Sequence, residues 1–78
     1  MDHDEIVSRV CAMVSEELDV ELDSLNESTR LKELGADSFD LLQLITALED
    51  DFSLTLDDDS LQAIETISDA VKTIEAAL

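Results

Sequence analysis

One serine in this chain stands where its hydroxyl could carry chemistry. Ser38 follows Gly35-Ala36-Asp37 and opens an apolar repeat of Leu41, Leu44, Ile45, Leu48 and Phe52 at helical spacing. Gly35, the only glycine, lets the preceding backbone turn closely. A hydroxyl at the amino end of a helix points outward. Free backbone N–H groups and the positive end of the dipole can there stabilise a phosphodiester attached to it. The same spot also suits a plain helix cap, for which Asp37 or Ser38 would serve equally well. On local physics alone the cap is the simpler reading.

Other residue types offer less. A catalytic serine needs a base within hydrogen-bond reach, normally a histidine. The only histidine is His3, in a terminus expected to fray. Cys11 falls on the apolar side of a helix, where an inert buried thiol is expected rather than a nucleophile. The carboxylates occupy solvated helix faces and ends, and none is paired as acid and base. An autonomous enzyme is therefore not expected. Asp57-x-Asp59 begins like a calcium-binding loop, yet Gln62 stands at the sixth position and Ser68 at the twelfth, where glycine and a bidentate glutamate belong. Loose divalent binding at acidic clusters is compatible with the pattern; a dedicated metal site is not.

The charge balance is −17, from 21 acidic residues against Arg9, Arg30, Lys32 and Lys72. Nothing from Glu33 to Val71 is basic. Such a surface repels nucleic acid and anionic lipid and steers basic partners toward it, although on composition alone acid kept for solubility is the favoured reading. Residues 1–78 are read as one domain, which at this size buries only about 60% of the surface its unfolded chain exposes. Phe39 and Phe52 are the only aromatics, so Leu, Ile and Val must build the core. One cysteine excludes an internal disulfide. No apolar run approaches the roughly 20 residues that span a bilayer, and no basic-then-apolar leader is present. A soluble, cytoplasmic monomer without membrane insertion is the expectation.

The elements that must position Ser38 are all helical. Ile6, Val7, Val10, Cys11, Val14 and Leu18 predict a helix over about residues 4–18, with a capping box from Asp2 to Glu5. Residues 19–37 lack a period; Leu22, Leu25, Leu31 and Leu34 read as anchors pinning a long connection, with a helical turn near residues 29–34. A second helix runs from residue 38 to about 52. Besides its inward stripe it carries another, Phe39, Leu42 and Thr46, continuing to Glu49. That stripe is either an exposed partner surface rimmed by acids or the edge of a wide core face. Glu49, Asp50 and Asp51 oppose the macrodipole at the end of this helix, and charge set against local stability marks function. Asp57-Asp58-Asp59-Ser60 offers caps for a short helix containing Leu61 and Ile64. Thr66, with Asp69 three residues on, caps a last helix with Ile67, Ala70, Val71, Ile74 and Leu78 on one face. The fold class is all-α, a small four-helix bundle of three longer helices and one short.

Arg9-Val10, Leu18-x-Val20, Leu34-Gly-Ala-Asp-Ser38, Asp40, Leu44, Ala47-Leu48-Glu49, Phe52 and the Thr66-capped helix together resemble a freestanding acyl carrier protein of the dissociated fatty-acid or polyketide type. The resemblance covers nearly the whole chain and reverses the reading of Ser38. It implies a covalent 4'-phosphopantetheine arm on Ser38, donated by coenzyme A through a phosphopantetheinyl transferase. The arm's thiol would hold acyl groups as thioesters and pass them between acyl-transfer, ketosynthase and related enzymes with basic docking surfaces. By the same analogy Asp37, Phe39, Asp40, Leu42 and Glu49 face those enzymes, and a bound chain tucks against Leu44, Leu48, Phe52, Ile64 and Val71. Peptidyl carriers usually show a second glycine near the serine, which this chain lacks. Gln43 stands where an acid is common, Thr46 where a larger apolar residue is common, and no proline precedes the short helix. A specialised carrier of a polyketide, lipid or secondary-metabolite pathway is thus one alternative; a non-carrier acidic interaction or divalent-cation-binding domain is another.

Overall fold

The computed structural model describes residues 2–57, 59 and 62–78. It contains helices α1 (His3–Leu18), α2 (Ser38–Phe52) and α3 (Ile67–Ala77) and two single 3-10 turns, Leu22–Ser24 and Leu31–Leu34. The short helix expected to contain Leu61 and Ile64 falls partly on positions 58, 60 and 61, which lie outside the described residues. Both α2 and α3 pack against α1. None of the described helices is long and apolar enough to cross a membrane.

Each helix buries the stripe its spacing marked. Ile6, Val10, Cys11 and Val14 turn inward from α1, Leu44, Ile45, Leu48 and Phe52 from α2, and Ile67, Ala70, Val71 and Ile74 from α3. Leu31 and Ile64 complete the core from the connections. Among the described residues no polar or charged side chain is buried with them, so this interior is held by apolar burial and packing. Burial, and to a lesser degree the charge of Glu27, pushes the Cys11 thiol pKa up, as suits an inert core residue. Two expected apolar contacts are absent. Leu22 is 51% exposed and is not an anchor. Leu78 lies beyond the end of α3 and is exposed too.

The helix starts are sharply defined. Asp2 caps α1 by accepting the Glu5 N–H at 2.8 Å, placing the first helical residue at His3, one earlier than the periodicity marked. Asp37 with Asp40 and Thr66 with Asp69 form reciprocal capping boxes on α2 and α3. The terminus of α1 does not hang free. The two ring nitrogens of His3 lie 2.9 Å from a Glu75 carboxylate oxygen and 3.0 Å from one of Glu27, joining α1 to α3 and to the connection.

That connection is held mainly by backbone pairing. Arg30 and Thr66 form an isolated antiparallel bridge. The Leu31 N–H donates to Glu65 O at 3.0 Å, Ile67 N–H to Thr29 O at 3.1 Å, and Ser68 N–H to Glu27 O at 2.9 Å. The loop therefore uses the first donors of α3, which no intrahelical partner could satisfy.

Candidate functional site

The approach to Ser38 is fixed from both sides. Leu31 is buried and its N–H is tied to Glu65, so the 3-10 turn Leu31–Leu34 is clamped beside the start of α3. Gly35 ends that turn at φ +85°, donating to Lys32 O at 3.1 Å. This left-handed conformation costs glycine nothing and strains any residue with a Cβ. Ala36 is buried, and Asp37 then enters α2 as its cap.

The cap assignment decides what Ser38 is free to do. Asp37 Oδ1 accepts the Asp40 N–H at 2.9 Å, and Asp40 Oδ2 accepts the Asp37 N–H at 3.3 Å. Ser38 is thus the first helical residue and not the cap. Its side chain is exposed, and its hydroxyl has no hydrogen-bond partner among the described residues. The N–H groups of Ser38 and Phe39 likewise have none. A free hydroxyl beside free helix-terminal donors is a place where a covalently attached anion would be stabilised.

Ser38 also lies on the wall of a cleft of about 300 Å³, lined with it by Lys32, Leu41, Leu42, Ile45, Gln62, Ile64 and Glu65. Leu41, Leu42, Ile45 and Ile64 give it an apolar lining, and Lys32 is the one cation on it among the described residues. Such surroundings fit a phosphate-linked arm with a flexible organic tail. Of the five residues that the resemblance sets against a bound chain, all are buried in the core, and Ile64 also lines this cleft. Leu41 and Ile45 were read only as core residues, and Lys32 only as a charge. A signal for the first two was present, because positions 41, 42 and 45 are i+3, i+4 and i+7 from Ser38 and share its face of the helix.

The stripe on α2 is exposed. Phe39 is 64% and Leu42 54% accessible, so neither is the edge of a core face. Asp37 beside them is exposed and Asp40 half-buried. At the other end of α2 two of the three acids have partners. The Glu49 carboxylate accepts the Leu56 N–H at 2.8 Å, and its carbonyl accepts from Ser53 and Leu54. Asp51 lies 3.7 Å from Arg9, whose guanidinium stands 5.5 Å from the centre of the Phe52 ring. Glu49 and Asp51 therefore stabilise the helix end despite its dipole, one by capping the loop and the other through a cation that itself complements the dipole.

Comparison with known proteins agrees with this geometry. Residues 8–74 match the family described as "Phosphopantetheine attachment site". The chain is 42% identical over 77 residues to the acyl carrier protein of Prochlorococcus marinus (strain MIT 9515), covering 97% of this chain and 96% of that one. It is 35% identical, with the same two coverages, to the acyl carrier protein of Lactobacillus acidophilus. In three dimensions it is similar to the acyl carrier protein of Thermotoga maritima, with a TM-score of 0.83 at 26% identity over 99% of this chain and 91% of the other.

Proposed function

The chain belongs to the phosphopantetheine-attachment family and is an acyl carrier protein, not an enzyme; from that premise we propose that Ser38 is the residue that carries its covalent 4'-phosphopantetheine. The observation that carries the assignment is the exposed, unengaged hydroxyl of Ser38 at an open helix start beside the cleft. When bound, the arm supplies a terminal thiol on which acyl groups travel as thioesters. The chain's own part is positional. Gly35 and the Asp37 cap hold Ser38 outward, and its N–H and that of Phe39 would hold the phosphodiester. Leu41, Leu42, Ile45 and Ile64 offer apolar cover to whatever the arm brings.

Loading is phosphoryl transfer from coenzyme A. The Ser38 Oγ–P bond forms, the diphosphate P–O bond breaks, the nucleotide half of coenzyme A leaves, and the transferase takes up the hydroxyl proton. Family membership implies such a transferase and biosynthetic enzymes as partners. We assign their docking to Asp37, Phe39, Asp40 and Leu42, where exposed apolar surface meets acid. Glu49 belongs to the edge of this surface, since its carboxylate is already engaged by Leu56. The reading treats residues 1–78 as one cytoplasmic acyl carrier domain serving fatty-acid or polyketide biosynthesis. Gln43 and Thr46, both exposed on α2, remove charge and bulk from that face and favour a specialised set of enzymes as the second reading.

The test is incubation with a phosphopantetheinyl transferase, coenzyme A and magnesium, followed by intact mass and peptide mapping. One phosphopantetheine on Ser38 is expected. Addition at another residue, or none with several transferases, overturns the assignment.

A further inference from the structure

Lys32 is the only cation lining the cleft beside Ser38 among the described residues. Its position is fixed at the backbone, because the Leu31 N–H is bound to Glu65 O at 3.0 Å and Lys32 O accepts the Gly35 N–H at 3.1 Å. Its ammonium is not committed elsewhere, since it makes no ion pair among the described residues. Glu65 lines the same cleft without pairing to it. Asp37 and Asp40 repel an anion from the cap side of Ser38, so the attraction that Lys32 supplies acts from the cleft side and gives a phosphodiester a direction.

We propose that Lys32 is a positioning residue for the prosthetic arm: its ammonium pairs with the phosphodiester on Ser38 and starts the arm along the apolar cleft instead of out into solvent. The proposal rests on Ser38 being the attachment residue. An exposed ion pair of this kind is individually weak and screened by salt, which suits an arm that must also leave the cleft.

Two measurements test it. In the unmutated protein, labelling of Lys32 by an amine-directed reagent is compared before and after loading, with Lys72 as internal reference. Loading should slow Lys32 labelling about two- to fivefold, the range of an exposed ion pair, and leave Lys72 unchanged. The second measurement is the phosphorus-31 resonance of the loaded protein. Lys32→Gln should shift it and remove its dependence on salt, and Lys32→Arg should restore both. Equal Lys32 labelling with and without the arm, or a phosphorus resonance that Lys32→Gln leaves in place, overturns the proposal. In either case a single phosphopantetheine found on Ser38 shows that the attachment reading survives. An unmutated protein that accepts no phosphopantetheine overturns both together.

Discussion

Helices α2 and α3 begin with the same device and end up doing different things. Each opens with a reciprocal capping box, Asp37 with Asp40 and Thr66 with Asp69, and each has a serine in its first turn, Ser38 and Ser68. Around α3 the loop closes over the terminus. Thr29 and Glu27 carbonyls take the Ile67 and Ser68 N–H groups, and Asp69 Oδ2 accepts from both Glu65 and Thr66 at 3.1 Å. Around α2 nothing described takes the N–H groups of Ser38 and Phe39. Capping starts a helix, but the neighbouring backbone decides whether that start becomes a joint or a site.

The comparison breaks most visibly at the two serines. Ser38→Ala should abolish loading by a transferase altogether while circular dichroism stays unchanged, although Ser68 is still present. Intact mass reads the outcome, and any addition on Ser68 would mean that openness is not what selects the residue.

Next in size is the stability of the two caps. Asp69→Ala removes the acceptor for two backbone N–H groups in a half-buried joint and should cost about 2 kcal/mol in urea unfolding. Asp40→Ala, at the open start, should cost about 0.5 kcal/mol. Equal costs would remove the distinction between the two starts. The backbone bonds from Glu65 and then Thr66 also hold the Asp69 carboxyl below its ordinary pKa of 3.8. A depressed carboxylate contributes stability that is present above 3.8 and lost as pH falls through the lower folded value. Acid unfolding of Asp69→Asn should therefore show a weaker dependence on pH below that point.

Partner docking gives the third effect. Asp40→Lys should slow transferase association about fivefold at low salt and flatten its salt dependence, as expected for a rim charge of about 1 kcal/mol. Leu42→Ala should chiefly speed dissociation, because it removes contact area and leaves the field intact. Stopped-flow kinetics at several salt concentrations separates the two. Glu49→Gln, which keeps an acceptor for Leu56, should change association less than Asp40→Lys does.

The smallest effect lies at His3, which reinforces the closed joint through Glu27. Hydrogen bonds to Glu75 and then Glu27 raise its pKa above 6.5. Both ring nitrogens facing carboxylates require the protonated imidazolium, since a neutral ring donates only once. A raised histidine contributes stability that is complete below pH 6.5 and lost as pH rises through the folded value. His3→Gln should therefore flatten the fall in melting temperature between neutral and alkaline pH. An unaltered profile would mean that the clasp adds nothing to the joint.

Much of this was legible in the residues because side-chain period and cap chemistry are local properties. The three long helices follow from apolar spacing and Thr66 follows from capping, whereas cap chemistry alone left Asp37 and Ser38 equal. The connection was only half legible. The turn at Leu31–Leu34 was anticipated, but Leu22 is exposed despite its type, and the pairing with residues 65–68 uses backbone groups that leave no mark on side-chain identity. The cleft left no separate mark for a related reason. Leu41 and Ile45 serve the core and the cleft at once, and spacing reports a helix face without saying what lies opposite it. Glu49 and Asp51 opposed the dipole on paper until Leu56 and Arg9 were brought to them by the fold.

Burial of Cys11 has a consequence for cargo security. A thioester is lost most readily to a nearby thiolate, and a carrier with an accessible cysteine of its own could strip its arm by exchange. Here the chain's sole thiol sits inside α1's packed face with its ionisation suppressed. The loaded protein therefore exposes the arm's thiol and keeps its own cysteine out of reach of exchange.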